Sequence, residues 1–386
     1  MENNPGAVRA QKSRREETPK KKILIVHPIF LWGGAEQVLL CMIKSIHSSY
    51  DLHILTGNSL RKMEDKIQTR YNFNCGSYDF TEIINGWLFK SFPYLLKQIQ
   101  QRKVYEIGHK FDLVVSSSGN LKSTSKTIEY IHYPRNLSGT RGKRRFAWIK
   151  KIIQKIILSN ETDRSGKTVK IANSKWTRDN MKKDQKESNI VVIYPPVNTY
   201  KTRESNKDGL NIVSLSRISP DKYIETTISN FNALRKRNQK LTLSIIGSTK
   251  NCDKFYVKHI KELCSLNESI ELFLDVSEST KKTLLCKATY GLHSMPKEHF
   301  GIAIVEMMSF RMIPFVPNGG GQIEVVNNEI LTYSSKNDLL HKFEMVFNNS
   351  RLRRRISNEC YQRAQDFSEE KFMNKFSFLA SEIISQ

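Results

Sequence analysis

Ile23-Leu24-Ile25-Val26, then Gly33-Gly34-Ala35-Glu36, then Val38, Leu39, Met42, Ile43 and Ile46 make up the stretch that decides the fold. The first four residues are an unbroken apolar run, mostly β-branched, as in a strand buried on both faces of a parallel sheet. The glycine pair marks a turn. The apolar residues after it recur at three- and four-residue intervals, which is one face of a helix. Strand, glycine turn and helix in that order open a doubly wound α/β fold.

The same alternation continues outward. Short apolar runs at Leu52–Leu55, Leu113–Val115, Ile128–Ile131, Val169–Ala172 and Ile190–Tyr194 read as further strands with helices between them. Pro195-Pro196 then ends the series, and the polar stretch Lys201–Gly209 reads as a linker. A second series follows. Its strands are expected at Asn211–Leu215, Leu241–Ile246, Ile270–Phe273, Tyr290–His293 and Ile313–Val316, and its helices near 224–236, 254–265, 279–286 and 301–311. Two βαβα series with a break predict an α/β protein of two Rossmann-like domains facing across a cleft. The expected division is a disordered basic tail 1–21, a first domain 22–196, a linker 197–209 and a second domain 210–369. A helix at 370–386, with Phe372, Phe376 and Leu379 on one side, is assigned back to the first domain.

The bulk composition fits this division. The 386 residues suffice for two cores, and 39% hydrophobic with 26% charged residues suits a soluble globular chain. No run approaches the ~18 apolar residues of a spanning helix, and the polar N-terminus lacks a secretory leader, so a cytoplasmic location is expected. Cys41, Cys75, Cys252, Cys264, Cys286 and Cys360 are scattered without metal-ligand spacing and read as inert thiols. The net charge of +24 favours anionic partners: phosphorylated substrates, an anionic membrane face or nucleic acid. Segment 141–157 places Ile149, Ile152, Ile153, Ile156 and Ile157 at helical spacing beside Arg144, Arg145, Lys150, Lys151 and Lys155. Such a helix either lies on an anionic membrane or packs into the first core.

Four motifs carry chemistry. In Pro296-Lys297-Glu298-His299-Phe300-Gly301-Ile302-Ala303-Ile304-Val305-Glu306, a helix is expected to begin near Phe300 or Gly301. Its free N–H groups and dipole suit a phosphate. Glu298 in the preceding loop and Glu306 about two turns inside can accept hydrogen bonds from hydroxyls on either side of that phosphate. In Leu215-Ser216-Arg217-Ile218-Ser219-Pro220-Asp221-Lys222, a strand end presents Arg217 as a planar fork and Lys222 as a mobile point charge for a diphosphate. Gly33-Gly34 allows close backbone approach at the start of the first helix. Tyr130-Ile131-His132-Tyr133-Pro134 ends a strand on one histidine. A fifth segment, Gly319-Gly320-Gly321-Gln322-Ile323-Glu324, offers backbone donors after another strand.

These motifs, in this order, resemble those of glycosyltransferase family 4, the retaining enzymes of GT-B architecture. The resemblance covers most of the chain from about residue 22. It implies that Glu298 faces the donor sugar, that Glu306 holds the ribose, and that Arg217 and Lys222 clamp the diphosphate. His299, Phe300, Gly301, Ile302 and Gly34 complete the donor contacts. Gly33, Gly34 and His132 form the acceptor side. Two departures stand out. Tyr223 replaces the glycine that often follows the clamp lysine, and Gly321 replaces a proline, which is expected to loosen that turn. Ala172-Asn173-Ser174-Lys175-Trp176-Thr177 and Ile193-Tyr194-Pro195-Pro196-Val197 match family segments and read as interdomain architecture.

Leu292-His293-Ser294-Met295 before Glu298-His299-Phe300-Gly301-Ile302 is similar to mannosyltransferases that extend dolichol-linked oligosaccharides from GDP-mannose. The expected function is therefore retaining transfer of a hexose, mannose foremost, from a nucleotide sugar to a lipid-linked or glycan acceptor. No cofactor is expected, because no DxD metal motif accompanies the site and the nucleotide sugar is itself a substrate. An anionic membrane surface is an expected partner; a specific nucleic acid is not. A UDP-sugar enzyme acting on a soluble acceptor is the nearest alternative, and a basic nucleic-acid-binding protein a remote one.

Overall fold

The computed structural model describes residues 19–386 apart from 31–32, 58–63, 72, 75–78, 83–92, 120, 135–166, 186–189, 201, 203–206 and 208. Most of the basic tail, all of segment 141–157 and Cys75 lie outside the described residues. Among those described, the strands β1 (Lys22–His27), β2 (Asp51–Thr56), β3 (Asp79–Glu82), β4 (Leu113–Ser116), β5 (Thr127–Ile131), β6 (Thr168–Ala172) and β7 (Ile190–Val192) form the first sheet. The second contains β8 (Asn211–Arg217), β9 (Thr242–Ser248), β10 (Ile270–Leu274), β11 (Tyr290–Leu292), β12 (Ile313–Pro317) and β13 (Thr332–Tyr333).

The strand orders are β3-β2-β1-β4-β5-β6-β7 and β10-β9-β8-β11-β12-β13, and the pairings between these strands are parallel. In each sheet the order reverses beside the first strand, between β1 and β4 and again between β8 and β11. Ligands of doubly wound sheets bind outside the carboxyl ends of strands at such switch points. The architecture is GT-B: two Rossmann-like domains.

Strand β1 is buried from Ile23 to His27, as its unbroken apolar run requires. The helix Gly34–Ile46 buries Leu40 and Cys41 as well as the expected face of Val38, Leu39, Met42, Ile43 and Ile46. A second helix covers that extra surface. It runs Glu369–Ser385 and inserts Phe372, Phe376, Ala380 and Ile383 into the core around β1. Each buried aromatic there contributes about 1.5–3 kcal/mol. Ser368 caps it, accepting the Lys371 N–H. The spacing of these apolar residues, at four, four and three, keeps them on one helical stripe. Burial pushes the Cys41 thiol far up, with Glu369 adding to the effect.

The chain crosses between the domains twice, and the crossings touch. Val197 pairs with Ser368 in an isolated parallel bridge, and the Val197 N–H donates to Phe367 O at 2.9 Å. Val197 was expected to open a polar linker, yet it is 2% exposed and belongs to the second core. Further along, Lys207 Nζ donates to Ala288 O at 2.5 Å and Phe310 O at 2.7 Å. Those carbonyls lie at two helix C-termini, which the Lys207 ammonium caps. Burial lowers the Lys207 ammonium to about 8. Val197 and Lys207 of the linker are therefore fastened to the second domain.

Candidate functional site

Loops at the carboxyl ends of β1, β5, β8, β11 and β12 converge on one cleft. Strand β8 ends at Arg217, which stays exposed with its guanidinium 3.5 Å from Asp221. The single-turn 3₁₀ helix Pro220–Lys222 follows, and it aims Lys222 inward. Lys222 Nζ donates to Glu298 Oε2 at 2.7 Å, with both side chains about 15% exposed. The lysine expected as a mobile charge is thus held in place. A carboxylate this close in a half-dry cleft outcompetes water for the ammonium.

Tyr223 closes this loop at φ 54, ψ 46, in the left-handed region. This explains why glycine is common here in the family that the chain resembles: a Cβ in that region costs about 1–2 kcal/mol. Tyr223→Gly should raise stability by up to about 1 kcal/mol, once glycine's greater unfolded entropy is subtracted. The denaturant midpoint measures it; a lower midpoint would mean that contacts of the half-exposed ring outweigh the strain.

The loop after β11 carries the other carboxylate. Burial alone would raise the Glu298 carboxyl, but the neighbouring His293 imidazole and the Lys222 ammonium hold it well below the usual range. His293 Nε2 lies 3.4 Å from Glu298 Oε2. Behind it, Tyr333 Oη donates to His293 O at 2.7 Å and Thr227 Oγ1 donates to Ser294 Oγ at 2.9 Å, which fixes the loop from the protein side. Gly301, at φ 109, serves as N-cap for the helix Ile302–Ser309. The Ile304 and Val305 N–H groups donate to Gly301 O at 2.9 and 3.2 Å, while those of Ile302 and Ala303 precede any intrahelical acceptor.

Phe300, expected among the donor contacts, buries its side chain in the second core. It packs 5.7 Å from Tyr194 and 5.3 Å from Phe367, ring centre to centre. Only its backbone is available to a ligand. Glu306 is the fifth residue of the helix, a little over one turn inside rather than two. Its Oε1 lies 2.5 Å from Lys281 Nζ, which also reaches Glu278 Oε2 at 2.9 Å.

The three glycines after β12 support this loop from beneath. A Cβ on Gly319 would stand 2.5 Å from Pro296 O, on Gly320 2.4 Å from Glu298 O, and on Gly321 2.2 Å from His299 O. The Gly321 N–H donates to Glu298 O at 2.7 Å. The turn was expected to be loosened by glycine in place of proline. It is instead fixed, because that N–H, which proline lacks, bonds the Glu298 loop. The triple glycine therefore shapes the loop that carries Glu298.

The opposite wall belongs to the first domain. Glu36 reaches back to accept the Gly33 N–H at 2.5 Å, the carboxylate half of a capping box. Gly34 faces the second domain directly: a Cβ there would lie 2.4 Å from Ile302 Cδ1. His132 sits just past β5, its Nε2 donating to Ser117 O at 2.8 Å. A carbonyl can only accept, so Nε2 carries the proton and Nδ1 is left as an acceptor. Burial lowers His132 to about 4, so it is neutral at physiological pH.

Between pH 6.5 and 4 the unfolded chain takes up a proton on His132 that the folded chain refuses, so stability falls as pH falls through this window. Wild type should lose about 2–3 kcal/mol more than His132→Gln between pH 7 and pH 4.5. Parallel denaturant titrations at the two pH values measure the difference. Equal losses would mean that His132 is accessible to protons.

His299 joins the two walls. Its ring stacks on Trp176 at 5.8 Å and lies 6.0 Å from Tyr133, both first-domain residues. Burial lowers its pKa, and the Lys222 charge adds to this. Ser174 Oγ donates to His299 O at 2.7 Å while capping the helix Lys175–Gln185. Glu324 accepts the Lys175 and Trp176 N–H groups, both at 3.1 Å, and the Tyr194 hydroxyl at 3.0 Å. A carboxylate from one domain on the helix N-terminus of the other is a favourable charge–dipole contact.

Glu298, Lys222, His299, Gly301, Ile302 and Gly34 are thus brought together, with His132 on the facing wall. Arg217 remains at the rim, and Phe300 turns away. Sequence reasoning missed Lys281 as a partner of Glu306. Lys281 lies in a helix of unremarkable pattern, so no spacing singles it out.

Comparisons extend this picture. Residues 199–363 match the family described as "Glycosyl transferases group 1". Over 92% of its length the chain is 23% identical to the GDP-Man:Man(3)GlcNAc(2)-PP-Dol alpha-1,2-mannosyltransferase of Dictyostelium discoideum, covering 83% of that protein. It is 35% identical over 142 residues to the protein of the same name from Xenopus tropicalis, covering 34% of this chain and 29% of that one. The match to the Yarrowia lipolytica protein is 29% identical over 175 residues, covering 40% of this chain and 28% of the relative. The chain thus aligns with under a third of those last two relatives. Among solved structures, a glycosyltransferase of Rickettsia africae superposes with a TM-score of 0.67 at 18% identity, covering 95% of this chain and 99% of that one. HepE of Anabaena, in complex with UDP and glucose, does so at 0.68 and 15%, covering 94% and 100%.

Proposed function

We propose, from the match of residues 199–363 to the family of group 1 glycosyl transferases, that the chain moves mannose from GDP-mannose to a hydroxyl of a lipid-linked glycan, retaining the anomeric configuration. The observation that carries the transfer chemistry is the 2.7 Å meeting of Lys222 and Glu298 at the switch point of the second sheet. The names of the relatives carry the choice of donor and acceptor.

In the reaction the bond between the sugar's anomeric carbon and the β-phosphate oxygen breaks, and a bond to the acceptor oxygen forms. The acceptor's proton leaves with a departing diphosphate oxygen. Lys222, Arg217 and the start of the helix Ile302–Ser309 neutralise the charge that develops on that diphosphate. Glu298, released by Lys222, accepts hydrogen bonds from the sugar hydroxyls. Glu306 takes the ribose. The acceptor enters beside Gly33 and Gly34, where the His132 Nδ1 lone pair accepts a hydroxyl proton in a hydrogen bond. Two cations and a helix dipole supply the positive charge that a divalent ion supplies elsewhere, so transfer should continue in EDTA.

The net charge of +24 suits an acceptor held at an anionic cytoplasmic membrane face. Among the described residues no helix is long and apolar enough to cross a membrane, which accords with peripheral attachment. The deciding experiment offers GDP- and UDP-sugars to the purified chain, first for binding and then for transfer to polyprenyl-diphosphate-linked and soluble glycans. Transfer of mannose from GDP-mannose to the lipid-linked acceptor is expected. Turnover confined to a UDP-sugar or to soluble acceptors would refute the assignment.

A further inference from the structure

Both carboxylates of the Glu298…Glu306 motif are engaged by lysines, and only one of these lysines has been given a role. Lys281 lies on the helix Glu278–Lys287, with its side chain 20% exposed between two acids. Its ammonium is 2.5 Å from Glu306 Oε1 and 2.9 Å from Glu278 Oε2. Glu278 is in turn fixed by Tyr200, whose hydroxyl donates to Glu278 Oε1 at 3.0 Å. The Lys282 ammonium lies 4.6 Å from the centre of the Tyr200 ring. Tyr200 from the linker, Glu278, Lys281 and Lys282 from one helix, and Glu306 from the motif helix therefore form one linked chain of side chains, in which Lys281 is the member that reaches Glu306.

We infer that Lys281 is a positioning residue for the nucleoside half of the donor. It holds the Glu306 carboxylate in a single orientation, so that it accepts hydrogen bonds from the ribose diol of a nucleoside diphosphate. The inference rests on the reading of Glu306 as the ribose ligand. A free glutamate would lose side-chain entropy on meeting the diol. One already fixed by Lys281 has lost it before the ligand arrives. Burial alone would lower the Lys281 ammonium, yet Glu306 and then Glu278 hold it above its ordinary value, so it stays charged throughout. Lys281 is placed at the ribose end, away from the bond that breaks. Its loss should therefore act on donor binding and leave the chemical step in place.

The test measures binding of GDP and of 2′,3′-dideoxy-GDP to the full chain by calorimetry, in wild type, Lys281→Met, Lys281→Arg and Glu306→Gln. Wild type should prefer the ribonucleotide by more than tenfold. Lys281→Met should bind GDP about tenfold more weakly, with that preference reduced to threefold or less, as in Glu306→Gln. Lys281→Arg should restore most of it. With GDP-mannose the Lys281→Met variant should show a raised KM and a kcat within about twofold of wild type. A merely structural lysine would weaken both nucleotides equally and leave the preference intact. If wild type prefers the ribonucleotide and Lys281→Met keeps that preference, the inference is overturned while the Glu306 assignment stands. If wild type shows no preference, both fall. Unaltered thermal unfolding of Lys281→Arg provides a folded reference should Lys281→Met be destabilised.

Discussion

Lys222→Ala should lower kcat by about three orders of magnitude while changing donor KM much less. A preorganised cation aimed at charge that appears only as the diphosphate departs contributes about 3–4 kcal/mol to the transition state. The same substitution strands Glu298, whose carboxyl is largely buried and now lacks its ammonium, and it should also cost up to about 3 kcal/mol of folding stability. The two losses separate in a second variant. Lys222→Met combined with Glu298→Gln removes the buried charge altogether and should regain most of the stability without regaining the rate. The pH dependence follows from the same pair. The depressed Glu298 carboxyl contributes stability that is full above the ordinary glutamate range and is lost as pH falls toward its folded value. Lys222→Ala should flatten that part of the acid limb. Steady-state kinetics and denaturant melts check both expectations; a Lys222→Ala enzyme within tenfold of wild-type kcat would remove Lys222 from the mechanism.

Gly320→Ala should combine a folding defect of about 3 kcal/mol with a loss of about a hundredfold in activity. At φ 75 a Cβ is strained on its own account, by about 1–2 kcal/mol. It would also stand 2.4 Å from Glu298 O and 2.8 Å from Glu298 N. Backbone cannot swing aside as a flexible side chain does, so the Glu298 loop has to move, and overpacking of this kind costs a further 1–3 kcal/mol, roughly. Displacing a positioning carboxylate by about 1 Å is enough for the activity loss. Gly319→Ala, with its nearest contact at 2.5 Å from Pro296 O and no positive φ, should be milder. Equal activity of Gly320→Ala and wild type would show that the cradle does not set the position of Glu298.

The fold was legible because its signals are local. Ile23–Val26 with the glycine pair, and Asn211–Leu215 with the Arg217–Lys222 loop, each carry strand, turn and helix within a few tens of residues. Strands β3 and β13 were missed for a physical reason: four residues and two residues are too few for a periodic signal. The site was legible where a motif is contiguous, as at Glu298 to Glu306. It was not where partners meet only through the fold. Lys281 precedes Glu306 by 25 positions and lies on another helix, and Glu324 grips a helix start some 150 residues earlier in the chain. Phe300 turns its side chain into the core, which adjacency along a motif does not reveal. Gly321 was misjudged because the family comparison concerned ring stiffness, whereas the structure uses the N–H.

The helix Glu369–Ser385 completes the core of the first domain although it follows the second domain in the chain. A ribosome delivers the strands around β1 long before Phe372 and Phe376 exist to cover the Leu40–Cys41 surface. The second domain, whose core needs nothing later than Phe367, is therefore the half that can finish folding first, in reverse of its order of synthesis. During the interval the earlier half presents an uncovered apolar face, the kind of surface that holdase chaperones grip. Nascent chains stalled before residue 369 should remain protease-sensitive in their first half even after the second half has become resistant.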